Sequence, residues 1–355
     1  MSGLNVVFRV DGNAELGMGH IARCLALSRA MQKIAKDVNL LFITKGYREA
    51  VTWISKEGQS LKIIPSNLSE TEELAFIATT LLKLKPDIIV TDLPYASEEY
   101  LRELKKYGKL MVSIDDIALV THCADIVVSG YLSAKLKKYK TTNPNTKFLI
   151  GVQYLMLREE FEKMHQVQRK IRKNARNVLL TLGGADPENL TMKVVRALSK
   201  INQKLDVIVV LGPAYTRHEE FQKLLKELKT SKSKFKVKCN VKNMARLMMR
   251  ADIAITAGGE TIYELAAVGT PSINISHMEH QSINARELER AGAVINLGLG
   301  KEVSEEQISS AVLYLLKDKD LRQKMSLAGK RLVDGKGAKR VADIILKTLE
   351  TRKVI

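Results

Sequence analysis

Three times in this chain a short apolar run rich in β-branched residues passes through glycines into a segment with helical spacing. This unit restricts the fold more than any other feature. Leu4–Val10 (LNVVFRV) leads through Gly12, Gly17 and Gly19; residues 177–182 (NVLLTL) lead into Gly183 and Gly184; residues 252–256 (DIAIT) lead into Gly258 and Gly259. Runs of this kind are strands covered on both faces, which requires helices crossing between parallel strands. The intervening sequence keeps the alternation. Strands are expected at residues 38–43, 61–64, 87–91, 110–114 and 124–128, with amphipathic helices at 48–56, 70–84 and 97–107. After a charged stretch the pattern begins again, so the chain reads as α/β: two doubly wound parallel-sheet domains of Rossmann-like type. The expected division is residues 1–155, a connector at 156–176, and 177–355, with one of the last helices crossing back to brace the first domain.

The first turn carries the best candidate for chemistry. Ile21, Leu25, Leu27, Ala30 and Met31 recur with helical spacing, which puts His20 at the N-terminus of a helix. Unpaired amides and the helix dipole there favour a neutral ring, and a neutral imidazole accepts a proton. Two phosphate-binding motifs nearly fit. Gly12 and Gly17 have Walker A spacing, but Met18 and Gly19 stand where Lys and Ser/Thr would be needed, so a kinase or ATPase is excluded. Gly17, Gly19 and Ala22 match the dinucleotide fingerprint, yet the second strand ends in Thr44-Lys45 rather than an acid for a ribose, which counts against a nicotinamide enzyme.

Carboxylates end several strands: Asp11, Asp92, Asp115 and Asp116. Asp11 precedes the glycine turn and is read as orienting His20 or an attacking water. Asp92 and Asp116 are read as caps of following helices. In the second half Asp186-Pro187 is expected to open a helix, as N-cap and first helical residue. The stretch AGGETIYELAAVGTPS, residues 257–272, starts a helix at Glu260 or Thr261 whose amides suit a diphosphate. Glu264 lies one turn on, where it either accepts hydrogen bonds from a ribose diol or faces water. His277, His280 and Gln281 sit at another strand-end turn. The two histidines lack a third ligand nearby, so polar contact with a ligand is preferred to a metal site. His165, in the connector, is read as facing solvent.

Composition sets the remaining bounds. The chain has 355 residues, 45% hydrophobic and 27% charged, which suits a globular protein with room for two cores. No apolar run reaches the roughly 18 residues of a membrane span, and Arg9 and Asp11 interrupt any signal peptide; a cytoplasmic protein is expected. Cys24, Cys123 and Cys239 have no metal-ligand spacing. The net charge is +18, concentrated beyond residue 150, but aromatic residues make up only 5% and no recognition motif accompanies the charge, so nucleic acid is not an expected partner.

Arg9-Val10-Asp11, Gly17-Met18-Gly19-His20 and Arg23-Cys24 resemble the opening motif of the UDP-2,4-diacetamido-2,4,6-trideoxy-altropyranose hydrolases of pseudaminic acid synthesis. These are related to spore-coat polysaccharide proteins and, more remotely, to the GlcNAc transferases that form lipid II. The resemblance continues through Asp115-Asp116, residues 151–154 and 158–161, residues 183–187, and Ala257-Gly258-Gly259-Glu260-Thr261 with Glu264 and residues 269–271. It implies a GT-B fold, two Rossmann-like domains facing an interdomain cleft, with no metal or cofactor. It further implies UDP on the C-terminal domain and a catalytic histidine, His20, to which the reading of the residues adds Asp11 as helper. Arg9, Gly17, Gly19, Gly183, Gly184, Gly258, Gly259, Glu260, Thr261, Glu264, His280 and Gln281 would contact the substrate. The chain departs from the hydrolases in having His280 before Gln281 where they have Asn, and in placing Pro94 ahead of Tyr95.

Two enzyme readings follow, and a third that is not enzymatic. A UDP-sugar hydrolase would use His20 to activate water; a glycosyltransferase of the same fold would present an acceptor instead. A basic polyanion binder would explain the charge but not the glycine turns. The oligomeric state stays open, with a monomer compatible.

Overall fold

The computed structural model describes residues 3–13, 15–239 and 241–353. The chain forms two compact units, Met1–Arg158 with Lys336–Ile355, and Glu159–Gly335. The first contains β1 (Leu4–Val10), α1 (Gly19–Ile34), β2 (Val38–Lys45), α2 (Arg48–Lys56), β3 (Ser60–Ile64), α3 (Glu70–Leu84), β4 (Ile88–Asp92), α4 (Glu98–Lys105), β5 (Leu110–Ile114), β6 (Thr121–His122), β7 (Ile126–Ser129), β8 (Lys140–Thr141) and β9 (Lys147–Ile150). Its main sheet is parallel, ordered β3-β2-β1-β4-β5-β7-β9. The pleat divides β1 between two cores. Val6, Phe8 and Val10 face one side, whereas Val7 joins Ile77 and Leu81 of α3 and Leu101 and Leu104 of α4 on the other.

The second unit contains α5 (Glu159–His165), β10 (Asn177–Thr181), α6 (Leu190–Ser199), β11 (Asp206–Leu211), α7 (His218–Glu227), β12 (Lys234–Cys239), α8 (Met244–Arg250), β13 (Ile253–Thr256), α9 (Glu260–Val268), β14 (Ser272–Ser276), α10 (Glu279–Arg290), β15 (Val294–Leu299), α11 (Glu305–Lys317) and α12 (Lys319–Leu332). Its sheet is parallel in the order β12-β11-β10-β13-β14-β15. In each unit the first strand pairs with the second on one side and the fourth on the other, so the direction of winding reverses between β1 and β4 and again between β10 and β13. Ligands of doubly wound sheets bind outside the carboxyl ends of the strands at this point.

Helix α13 (Gly337–Lys353) belongs to the first unit and packs along α1. Val341, Ile345, Leu346 and Leu349 share a core with Cys24, Leu25, Leu27 and Met31 of α1. Burying each such branched side chain stabilises by about 1.5–3 kcal/mol, enough to tie α13 to the first unit. Residues 159–176, read from the sequence as part of a connector, lie in the second unit, where α5 buries Phe161 and meets α8 and α9. His165 is not simply solvent-facing: its Nδ1 lies 3.0 Å from the carbonyl of Ala267.

Helix starts differ in a way that bears on function. Ser69, Ser97, Ser304 and Asp318 cap α3, α4, α11 and α12 with their side chains. Met18 and Gly259 precede α1 and α9 and supply no side-chain cap, and neither do Tyr47, Asn189, Arg217 and Met278 before α2, α6, α7 and α10. The start expected at Asp186-Pro187 is corrected. Asp186 and Asn189 both have φ of 52°, which interrupts the chain until α6 begins at Leu190. The Asp186 carboxylate still accepts from the amides of Leu190 (2.8 Å) and Thr191 (2.9 Å).

Candidate functional site

In the first unit the reversal point brings His20 to Asp92. Val10 and Asp92 are in register on adjacent strands, so the turn after β1 and the end of β4 open side by side. His20 is the second residue of α1, with its side chain 18% exposed. Its Nδ1 lies 2.7 Å from Asp92 Oδ1. Arg23, one helical turn on, clasps the same carboxylate with Nε to Oδ2 at 2.6 Å and Nη2 to Oδ1 at 2.7 Å, and also pairs with Asp116. Asp116 in turn accepts from the Ser129 hydroxyl at 2.9 Å. Burial opposes ionisation of Asp92, but the charge of Arg23 and the hydrogen bonds it donates outweigh it and hold the carboxyl well below the usual range. Arg23 Nη2, a donor, also stands 3.0 Å from Nδ1, but the ionised carboxylate at 2.7 Å is nearer and only accepts, so Nδ1 carries the proton. In the neutral ring Nε2 then holds the lone pair.

Four sequence expectations change here. Asp92 does not cap α4, which Ser97 does; it orients His20. Asp116 does not cap a helix either, because β6 follows it and its carboxylate faces Arg23. Asp11 is not the partner of His20. It accepts from Thr44 Oγ1 (3.0 Å), the Lys45 amide (2.7 Å), Arg9 and the Tyr95 hydroxyl. Arg9 is not poised for a substrate: it is two residues beyond Val7 on the pleat, faces α3, and is fully buried against Glu73, with Nε to Oε1 at 2.6 Å. Gly17 and Gly19 border His20; Gly17 has φ of 82° and open space where a side chain would stand.

In the second unit the corresponding ends are built mostly from backbone. Gly183 and Gly184 follow β10, and Gly258 and Gly259 follow β13, with Thr181 and Thr256 in register. A Cβ on Gly258 would lie 2.4 Å from the carbonyl of Gln281, so only glycine lets β13 turn under α10. No atom lies within 4 Å of where a Cβ on Gly259 would be. Glu260 and Thr261 open α9, and Glu264 sits one turn in, buried. His280 is exposed at the start of α10; Gln281 accepts from the His277 amide at 3.1 Å.

The sequence reading gave His277, with His280, polar contact with a ligand; in the structure its imidazole meets the protein. Its Nε2 donates to the Leu182 carbonyl at 3.1 Å and stands 3.9 Å from Asp186, with Nδ1 buried and unpartnered. It thereby joins the turn after β14 to the one after β10. Burial pushes the Asp186 carboxyl up, against the amides of its turn and His277, which favour the charged form. Among the described residues no cluster of three or more His, Cys, Asp or Glu could hold a metal ion, and no helix is long and apolar enough to cross a membrane.

Residues 177–343 match the Glycosyltransferase family 28 C-terminal domain. The chain is 31% identical over 284 residues to the uncharacterized protein MJ1062 of Methanocaldococcus jannaschii, an alignment that takes in 78% of this chain but spans only 57% of that protein's length. It is 28% identical over 346 residues to the spore coat polysaccharide biosynthesis protein SpsG of Bacillus subtilis, covering 96% of this chain and 98% of that one. Among solved structures it is similar to MurG of Acinetobacter baumannii, with a TM-score of 0.69 and 15% identity over 97% of this chain and 99% of that one. Two doubly wound parallel-sheet units, a second unit similar to that family's C-terminal domain, and this likeness along nearly the whole chain identify the fold as GT-B.

Proposed function

We propose that the protein hydrolyses a UDP-sugar of the diacetamido-trideoxyhexose type, releasing UDP in the synthesis of a nonulosonic acid or surface glycan. The observation that carries this reading is the His20–Asp92 contact, which leaves a basic nitrogen on a ring fixed by a buried, charged carboxylate. Water gives its proton to His20 Nε2 while its oxygen bonds to the anomeric carbon. The bond from that carbon to the UDP oxygen breaks, and its electron pair leaves with UDP. Attack opposite the leaving group inverts the anomeric centre.

Nucleotide recognition is assigned to the second unit. The amides at the start of α9, where Gly259 supplies no side-chain cap, suit the diphosphate, and they stabilise its developing charge without a metal. Glu264 is assigned to the ribose hydroxyls, Gly183 and Gly184 to close approach of the phosphates, and His280 and Gln281 to the sugar. Similarity to a spore coat polysaccharide protein along the whole chain supports a role in glycan synthesis.

Transfer to a sugar or lipid acceptor is the second reading, favoured by the match to a glycosyltransferase C-terminal domain. One assay separates them. Purified protein incubated with candidate UDP-sugars and no acceptor is expected to yield UDP and free sugar in equal amounts, and His20→Ala to yield neither. UDP release that waits on an added acceptor establishes transfer, and release at the parent rate by His20→Ala removes the role of His20.

A further inference from the structure

The edge strand of the second sheet has a row of cations that the proposed chemistry does not use. Residues 223–242 hold eight lysines against one acid, Glu227, and so concentrate much of the chain's net charge of +18. In β12 Phe235 and Val237 turn inward, toward the core that α7 covers, while Lys234, Lys236 and Lys238 are exposed on the opposite face. Alternate residues of a strand are about 7 Å apart, so the three ammonium groups form a regular line. In register beside them on β11 stand Asp206, Ile208 and Val210. Asp206, the acid of that face, is 3.0 Å from Arg176. Among the described residues none of the eight lysines belongs to an ion pair. Protection of a sheet edge accounts for one or two lysines, since a single charge already blocks pairing with another chain. Three unpaired ones in line on one face exceed what edge protection asks, and the complement of such a row is a dense array of negative charge.

We infer that the Lys234–Lys236–Lys238 row docks the protein on an anionic phospholipid surface. The row has no arginine fork for phosphate or base, no exposed aromatic ring on which a base could stack, and lies on a sheet edge rather than in a groove, which argues against nucleic acid. A planar array of lipid phosphates asks only for clustered lysines, each strengthening adsorption about fivefold. The attachment is purely electrostatic and is broken by salt.

The test is co-sedimentation of the full chain with vesicles of phosphatidylglycerol and phosphatidylcholine in equal parts, against phosphatidylcholine alone, at low and at 0.5 M salt. Binding is expected to the anionic vesicles at low salt only. The K234Q/K236Q/K238Q variant is expected to bind about a hundredfold more weakly. K301Q/K319Q/K324Q, which removes three exposed lysines elsewhere in the same unit, is expected to bind like the parent, and UDP release in solution is expected to be the same in all three proteins. Absence of binding by the parent at low salt overturns the inference, as does equal loss in both triple variants. Row-dependent binding of single-stranded RNA that is tighter than vesicle binding at the same salt overturns it in favour of nucleic acid. None of the binding outcomes depends on which reaction the first unit performs.

Discussion

The two units place their reversal points at equivalent strand ends and furnish them with opposite materials. Between β1 and β4 the first unit gathers His20, Arg23, Asp92 and Asp116, ionisable groups that hold one another in place. Between β10 and β13 the second gathers four glycines and an uncapped helix start, with Asp186 and His277 to the side. The contrast appears in two buried carboxylates. Asp92 is held charged by Arg23, whereas burial of Asp186 favours its neutral form. Paired side chains fix one ring in one tautomer, which proton transfer needs. Oriented amides offer a fixed partial charge that does not titrate, which suits holding an anion.

Substitutions at the first reversal point are expected to have the largest effects. His20→Ala should lower the rate of UDP release by about 10²–10⁴-fold with little change in UDP affinity. Asp92→Asn should cost about 10⁴-fold, because an amide can hold the ring in the wrong tautomer. It should also destabilise by about 3–5 kcal/mol in urea unfolding at pH 7, because it removes one carboxylate from a buried ion pair. An equal loss of affinity and rate in both variants would erase the division of labour between the units.

The pH dependence of stability should separate the two carboxylates by sign. Asp92 has a lowered folded pKa, so its contribution is present above the ordinary carboxylate range, near pH 4, and is lost as pH falls through the lower folded value. Asp186 has a raised folded pKa. Its contribution is full below the ordinary range and is lost as pH rises through the folded value. Urea midpoints measured from pH 7 to pH 2 should therefore fall less steeply on the acid side in Asp92→Asn and more steeply in Asp186→Asn.

Glycine variants sharpen the picture of the second reversal point. Gly258→Ala should destabilise by about 1–3 kcal/mol, since its methyl group meets the backbone of α10. Gly259→Ala should stay within about 1 kcal/mol of the parent in thermal unfolding. Gly259→Ser should have the smallest effect on stability, a gain of a few tenths of a kcal/mol, while its hydroxyl competes for the amides at the start of α9 and weakens UDP binding several-fold. Tighter UDP binding by that variant would show that the amides are not the anion's partners.

The alternation of strands and helices was legible in the sequence where strands are largely apolar runs, as in β4, β5, β10 and β13, and where helices keep their period. The positions of His20 at the second residue of α1 and of Glu260 at the start of α9 followed from the glycines before them. Asp92 was misread because its role depends on β4 lying beside β1, a pairing between residues some eighty positions apart that no local pattern encodes. The direction of Arg9 was available: two residues from Val7, it shares that residue's buried face, so an acidic partner such as Glu73 was to be expected there. The late start of α6 was hidden by Asp186 itself, whose carboxylate serves the helix from a left-handed turn four residues ahead of it.

Helix α13 has a consequence for how the molecule comes into being. A ribosome finishes the strands of the first sheet long before it reaches residue 337, yet the apolar side of the helix that holds His20 waits for Val341, Ile345 and Leu349 to cover it. During synthesis that surface is open to chaperones while the whole second unit is made. A nascent chain stalled anywhere in between would carry His20 on an incompletely supported helix, so activity should appear only after translation has passed this segment.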